Sequence, residues 1–273
     1  MGAVRRLEPV APAFAGMRTP LSIAHRGGMA LAPANTMAAF DLAASHGADV
    51  FETDVHMTAD GELVTIHDAT VDATTDGSGR VNTSTYAELA KLDAGHRFPG
   101  PRGDFPYRGT GVTVPRLADL FAAYGGTHGF NIDIKAPYPG VEAALWKLIA
   151  SYDVTERVVV AAFDQRRLQR FRAVSGGRVA LGAGVAEVRR FVLAHKLRCP
   201  WLYRPRAAVL QIPVAAAGLD LEDRRLIDGA HRHGLQVHYW TINDEPTMRE
   251  LLALGADGVM TDRPDLLRQV LGR

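Results

Sequence analysis

The chain has 273 residues, 31 basic and 30 acidic, for a formal net charge of +1; with those charges dispersed, it lacks the basic stripe that a nucleic-acid partner would want. At this length it can bury roughly three quarters of its unfolded surface, so folding requires neither a metal nor a disulfide, and its single cysteine, Cys199, reads as a structural thiol. No run approaches the ~18 apolar residues of a membrane span, and Pro9, Pro12 and Gly16 interrupt the only stretch that resembles a secretory leader. The expectation is a cytoplasmic protein with no transmembrane segment, in which residues 1–20 are a loosely ordered lead-in and residues 21–273 a single domain.

In chain order, "LSIAH" reads as a strand and "NTMAAFDLAASHGA" as a helix, with Asn35 and Thr36 at its cap and Gly47 at its stop. "DVFETDVHMT" is a second strand. "GELVTIHD" is a further extended segment behind the Asp60-Gly61 turn. A long connection from Asp68 to Pro115 holds at most the helix "TYAELAKL", and its "PGPRGDFPYRG" portion has the makeup of either a lid or a surface loop. Beyond it, the strands "GFNIDIKAP", "RVVVAAFD", "RVALGAG", "AAVLQIP", "QVHYWTIN" and "GVMTDRP" each precede an amphipathic helix. Leaving aside the segment at 61–68, eight strands alternate with helices. This is the pattern of an α/β (β/α)8 TIM barrel, with a small insertion (69–114) between the second strand and its helix.

Chemistry concentrates at predicted strand ends. Glu52 and Asp54, at i and i+2, share one strand face. The alternate set Phe51, Thr53 and Val55 is the more apolar and should face the helices, which points the acids into the barrel mouth. Neighbouring carboxylates repel unless a cation joins them, and a hard divalent ion suits oxygen ligands; a pair of surface acids is the other reading. In "NIDIK", Asn131, Asp133 and Lys135 share the face opposite Ile132 and Ile134. Such groups need a ligand or one another. Either Asp133 and Lys135 form a bare ion pair, or Asp133 completes a three-carboxylate metal set and leaves Lys135 for an anion. His25 and His67 end extended segments near the acids, so one ring can accept a proton while the other donates one. Together with Arg26 and Lys135 as fixed cations, these residues describe a site for a phosphate ester. Gly27 and Gly28 then let the backbone turn away without crowding the ligand. His46, His96, His128 and His195 are read as structural, and His231 and His233 as cations at a helix C-terminus.

The motifs "AHRGG…PANTMAAF", "ADVFETDVHMTADGELVTIHD", "TTDGSG", "NIDIK", "YWTIN" and "GADGVMTDRPDLL", spread over residues 21–270, resemble the glycerophosphodiester phosphodiesterase family. The resemblance implies a TIM-barrel phosphodiesterase that takes small glycerophosphodiesters and releases glycerol 3-phosphate and an alcohol, dependent on Ca²⁺ or Mg²⁺. It makes His25 and His67 the acid/base pair, Glu52, Asp54 and Asp133 the metal ligands, and Arg26 and Lys135 the phosphate contacts. It also suggests the glycerol 2-hydroxyl as nucleophile, giving a cyclic phosphate that water opens. The insertion resembles the family's capping subdomain and Trp240 a residue lining the glycerol pocket; Phe163 and Gln211, at strand ends, are pocket candidates by position.

The chain departs from the family's usual pattern at Ala34 for Glu, Asp133 for Glu, Ala162 for Ser and Ala73 for Arg. The shorter Asp133 bears on metal preference, and the other losses bear on the alcohol accepted. Three other readings compete. The site could act on lysolipids in lysophospholipase D fashion, although 99–111 offers little apolar entry beyond Phe105 and Tyr107. Lys135 could form a Schiff base, against which its acidic neighbours keep it charged. The barrel could also be a catalytically inactive phosphate binder. The sequence specifies no oligomeric state.

Overall fold

The fold is that of a computed structural model in which residues 10–273 are described. The apolar run after Pro20 forms β1 (Leu21–Ala24), with every residue buried. Thr36 caps α1 (Met37–Ser45), its hydroxyl accepting from the Ala39 N–H at 3.3 Å. β2 (Val50–Met57) follows, and the short β3 (Leu63–Thr65) pairs antiparallel with its end. The insertion contains one turn of helix, α2 (Tyr86–Leu89), closed by the Thr85–Glu88 capping box.

The alternation then runs α3 (Leu117–Tyr124), β4 (Gly129–Ile134), α4 (Val141–Ser151), β5 (Val158–Ala161), α5 (Gln165–Ser175), β6 (Ala180–Leu181) and α6 (Val185–Lys196). β7 (Val209–Ile212) leads into a small hairpin that the sequence reading did not anticipate, β8 (Ala215–Ala216) with β9 (Leu219–Asp220). α7 (Arg224–Arg232), β10 (Gln236–Tyr239), α8 (Glu245–Leu254), β11 (Gly258–Thr261) and α9 (Pro264–Leu271) complete the chain.

The strands lie in the order β6-β5-β4-β2-β1-β11-β10-β7, all parallel, and a Gly182–Val209 bridge joins the two ends. The eight expected strands are thus the eight staves of a TIM barrel. Two registers matter for the site: Ala24 lies opposite Thr261, and Asp54 lies opposite Asp133.

Apolar side chains fill the space between strands and helices. Phe51, Val55, Ile132 and Ile134 belong to this layer, so their alternate neighbours must point into the barrel. The insertion builds a small core of its own from Val64, Ile66, Val71, Val81, Leu89, Ala94 and Val114. Its Pro- and Gly-rich stretch folds back on that core, with the Gly109 N–H donating to Asp93 Oδ2 at 2.8 Å.

Two expectations need revision. Residues 1–9 of the lead-in lie outside the described residues, but the remainder is not loose: Ala13 and Phe14 are buried with Leu21, Ile23 and Val50. Phe14 seats so closely that a Cβ on Gly129 would stand 2.9 Å from its ring. Gly27 and Gly28 also serve a different purpose from the one expected. Both have positive φ, and a Cβ there would meet Ala39 of α1 at 2.8 Å and Pro264 of α9 at 2.9 Å. Helix packing, rather than clearance for a ligand, demands glycine at these positions.

Candidate active site

At the C-terminal mouth the inward face of β2 presents Glu52, Asp54 and His56, and that of β4 presents Asn131 and Asp133; all five are buried. Lys135, one residue beyond β4, extends its ammonium between two of the acids, 2.8 Å from Asp54 Oδ1 and 2.7 Å from Asp133 Oδ2. Arg26 adopts a left-handed conformation (φ 51°), bringing its Nε to 3.2 Å from Asp54 Oδ2 while its backbone N–H donates to Glu52 Oε2 at 2.9 Å.

The environments of these acids differ. Burial pushes Glu52 up to about 7, reinforced by the Asp54 charge. Burial would also raise Asp54, but Lys135, Arg26 and Asn35 outweigh it and hold Asp54 below its ordinary value. Asp133 is raised by burial despite Lys135. Lys135 loses solvation, yet the two aspartates hold its pKa up.

Asn35, expected at the helix cap, has another role. Its amide donates to Asp54 Oδ2 at 2.9 Å, and its carbonyl oxygen accepts from the Thr53 hydroxyl at 2.7 Å. Its left-handed backbone (φ 59°) and the 2.9 Å bond from its N–H to the Arg26 carbonyl fix it there.

His25 follows β1, and its Nδ1 lies 2.6 Å from Asp262 Oδ1, directly after β11. Its Nε2 is 4.0 Å from Glu52. Burial alone would lower the His25 pKa, but the bond to Asp262 and the Glu52 charge raise it overall. Asp262 is held in turn by Asn243, whose Nδ2 donates to Oδ2 at 2.7 Å. Neither Asp262 nor Asn243 was singled out in the sequence, although both lie inside the quoted motifs.

His67 is half-exposed, with Nδ1 2.7 Å from Asp68. Its carbonyl accepts from His56 Nε2 at 3.0 Å, and His56 Nδ1 meets the Tyr138 hydroxyl at 2.7 Å. The Ile66 N–H also bonds the Asp54 carbonyl at 3.0 Å, which ties this segment to the acid strand. His56 went unnoticed in the sequence, though the alternation of Glu52 and Asp54 extends to it.

The pocket candidates divide. Phe163 is 62 % exposed and meets Trp240 edge-on at 6.3 Å, with the Lys135 ammonium 5.9 Å from its ring, so all three share one side of the mouth. Gln211 instead donates to Asn131 Oδ1 at 2.8 Å, crossing the barrel interior. Of the histidines read as structural, His128 stacks on Phe51 at 4.6 Å and His195 lies against Phe191, both apart from this cluster; His231, read as a cation at a helix C-terminus, pairs with Asp257 at 2.7 Å.

The donor set fits a hard cation. Glu52, Asp54, Asp133 and Asp262 are four carboxylates, against which Arg26 and Lys135 stand in contact and Arg167 acts on Asp133 from farther off; Asp133 Oδ1 is buried and, among the described residues, has no hydrogen-bond partner. Excess carboxylate oxygen with an orphaned acceptor is the chemistry that Ca²⁺ or Mg²⁺ satisfies. Among the described residues, no three His, Cys, Asp or Glu side chains already converge on one point. Lys135 bridges Asp54 and Asp133 instead.

The sequence model of the glycerophosphoryl diester phosphodiesterase family matches residues 25–266, from the first histidine of the site to beyond Asp262. A glycerophosphodiester phosphodiesterase of Caldanaerobacter subterraneus is 34% identical over 255 residues, which is 90% of this chain and 96% of its own. A glycerophosphodiester phosphodiesterase from Agrobacterium tumefaciens has a similar structure, with a TM-score of 0.73 at 27% identity over 91% of this chain and 99% of its own. An Oleispira antarctica phosphodiesterase solved in complex with the product sn-glycerol-3-phosphate superposes with a TM-score of 0.68 at 27% identity, covering 93% of this chain and 98% of its own. With the barrel, the acid-lined mouth and a match that spans nearly the whole chain in agreement, this protein belongs to the glycerophosphoryl diester phosphodiesterase family.

Proposed function

We propose that the chain hydrolyses glycerophosphodiesters to glycerol 3-phosphate and an alcohol, with His25 and His67 as the proton-transfer pair and Glu52, Asp54 and Asp133 holding Ca²⁺ or Mg²⁺. The observation that carries this reading is the gathering at one mouth of the buried acids Glu52, Asp54 and Asp133 with His25, Arg26 and Lys135. The Asp133–Lys135 ion pair that the sequence left open is present, and the reading requires Lys135 to exchange it for phosphate. The glycerol 3-phosphate bound by the Oleispira antarctica relative supports the substrate class.

In this mechanism Asp262 takes the His25 Nδ1 proton in a hydrogen bond and leaves Nε2 as the atom that exchanges a proton with the substrate. Arg26 and Lys135 bind phosphate oxygens, and Lys135 leaves its aspartate bridge to do so. When bound, the divalent cation neutralises charge developing on the phosphoryl oxygens. His67, on its segment tied to β2, serves the opposite oxygen of the diester. Phe163 and Trp240 give the glycerol carbons an apolar wall. With the glycerol 2-hydroxyl as nucleophile, the alcohol departs first and water then opens the cyclic phosphate.

The test is release of glycerol 3-phosphate from glycerophosphocholine, glycerophosphoethanolamine and glycerophosphoglycerol, after chelation and with Ca²⁺ or Mg²⁺ restored. Turnover should return with the metal and fall about 100-fold or more in His67→Ala. A metal-independent rate, or a His67→Ala variant as active as the parent, would refute the reading. Absence of turnover on all three would redirect the search to lysolipids.

A further inference from the structure

We propose that the end of α6 and the turn after it form a docking surface for an anionic lipid bilayer. On α6, Arg189, Arg190, Leu193 and Lys196, with Leu197 at the cap, are all exposed. At 100° per residue they fall within about a third of the helix circumference. The turn that follows adds Arg198, Trp201, Leu202, Arg204 and Arg206, again exposed. Leu193 is 59 % exposed, Leu197 62 %, and Trp201 and Leu202 70 % each. These are high values for large apolar side chains, and such a patch marks an interaction site.

The charge of this segment is equally one-sided. Between residues 186 and 207 the only acid is Glu187, which is buried. Six Lys and Arg side chains therefore share the surface with one Trp and three Leu, on a protein whose overall charge is only +1. Asp223 of the neighbouring helix pairs with Lys196 at 3.2 Å, and the arginines flank that pair.

The presenting turn is built rather than slack. The Cys199 N–H donates to the Ala194 carbonyl at 2.8 Å, and the Leu202 N–H to the Cys199 carbonyl at 3.0 Å. Glu187 clamps the far side, accepting from the Arg206 N–H at 2.7 Å, the Ala207 N–H at 3.2 Å and the Tyr203 hydroxyl at 3.0 Å. Trp201 and Leu202 thus project from a backbone that needs no ordering on contact.

Protruding Trp and Leu ringed by Arg and Lys suit an interface where lipid accepts the apolar groups without a complementary groove and anionic headgroups meet the cations. A nucleic acid would satisfy the arginines but leave the leucines in water. α6 runs antiparallel to the strands, so its C-terminal end lies at the opposite end of the barrel from the mouth. Docking here leaves the active site facing solvent.

The experiment is co-sedimentation of the full chain with phosphatidylcholine vesicles, with and without phosphatidylglycerol, at low and high salt. Duplex DNA serves as a competing polyanion. Binding should require phosphatidylglycerol, weaken with salt, and resist DNA. Trp201→Ser with Leu202→Ser should weaken it roughly tenfold or more. Arg198→Gln with Arg204→Gln, which leaves the apolar groups intact, should weaken it about thirtyfold at about fivefold per charge. Each variant should keep its parent's rate on a soluble diester, which verifies folding. Absence of binding, binding indifferent to both pairs of substitutions, or preferential capture by DNA would each overturn the proposal.

Discussion

Replacing Asp262 by Asn changes one atom at a junction where every hydrogen bond has a fixed direction. In the parent, His25 Nδ1–H donates to Oδ1 at 2.6 Å and Asn243 Nδ2–H donates to Oδ2 at 2.7 Å. Asn243 cannot turn over to compensate. Its Oδ1 already accepts from the Asp262 N–H at 2.9 Å and the Thr261 hydroxyl at 3.1 Å. An Asn at 262 must therefore aim its amino group either at the Asn243 amino group, donor against donor, or at His25 Nδ1. The second choice turns Nδ1 into an acceptor and moves the ring proton to Nε2, the nitrogen that faces Glu52 and the mouth. The second outcome removes the base form of His25 that the parent presents; the first keeps Nδ1–H on a neutral acceptor but sets two donors against each other and takes away the Asp262 charge.

The loss expected for an impaired proton-transfer group is ~10²–10⁴-fold in kcat/KM; the donor left mispaired is the Asn243 amide, which is exposed and can turn to water, so no buried-donor penalty adds to it. The pH signature is more specific. Burial pulls the His25 pKa down, and Asp262 with Glu52 overcomes it; without the Asp262 charge burial gains, so the His25 limb of the profile moves to lower pH. His25 is raised above 6.5 and Asp262 lowered below 3.8 in the folded state. The stability from the pair is thus lost as pH rises through the folded His25 value or falls through that of Asp262. The difference in melting temperature between parent and variant should be largest between these limits. Initial rates of glycerol 3-phosphate release from pH 5 to 9 at saturating Ca²⁺ provide the test. A loss below ~tenfold with an unmoved limb would show that Asp262 does not position His25.

Glu52 ionises near 7 rather than at its ordinary 4.5, so chelated protein should lose stability as pH rises through that window. Ca²⁺ should raise the melting temperature more at pH 7.5 than at pH 5, and an equal rise at both would contradict the assignment. Asn35→Ala removes the amide that holds Asp54 Oδ2 and should weaken Ca²⁺ binding ~10–100-fold by calorimetry; unchanged affinity would make Asn35 a purely structural residue. Phe51 is fully buried with rings of Phe40, Tyr124 and His128 within 5.4 Å, so Phe51→Ala should cost ~3–5 kcal/mol in urea unfolding.

The strand count and the direction of the acids were legible because period-2 alternation is a local signal. Ile132 and Ile134 on one face of β4 oblige Asn131 and Asp133 onto the other, and the structure places them so. His56 was readable by the same rule, two residues beyond Asp54, had the alternation been followed to the strand's end. The lead-in was misread because nothing local says that Phe14 has a cavity to fill. That cavity exists only once strands distant in sequence have closed around it.

The dyad at His25 belongs to this second kind, and it shows what non-local inference requires. Nothing near "TDRP" announces a partner for a histidine some 237 residues away. Once eight staves are accepted, however, closure makes the last strand a neighbour of the first, parallel to it. The observed register sets Ala24 against Thr261, and the next residue on each strand is then His25 and Asp262. An acid one residue past the end of the eighth strand faces the base one residue past the end of the first because a closed parallel sheet leaves each nowhere else to point. The hydrogen bond is a consequence of topology. It was beyond the reach of spacing and composition, but not beyond that of the fold those signals had already specified.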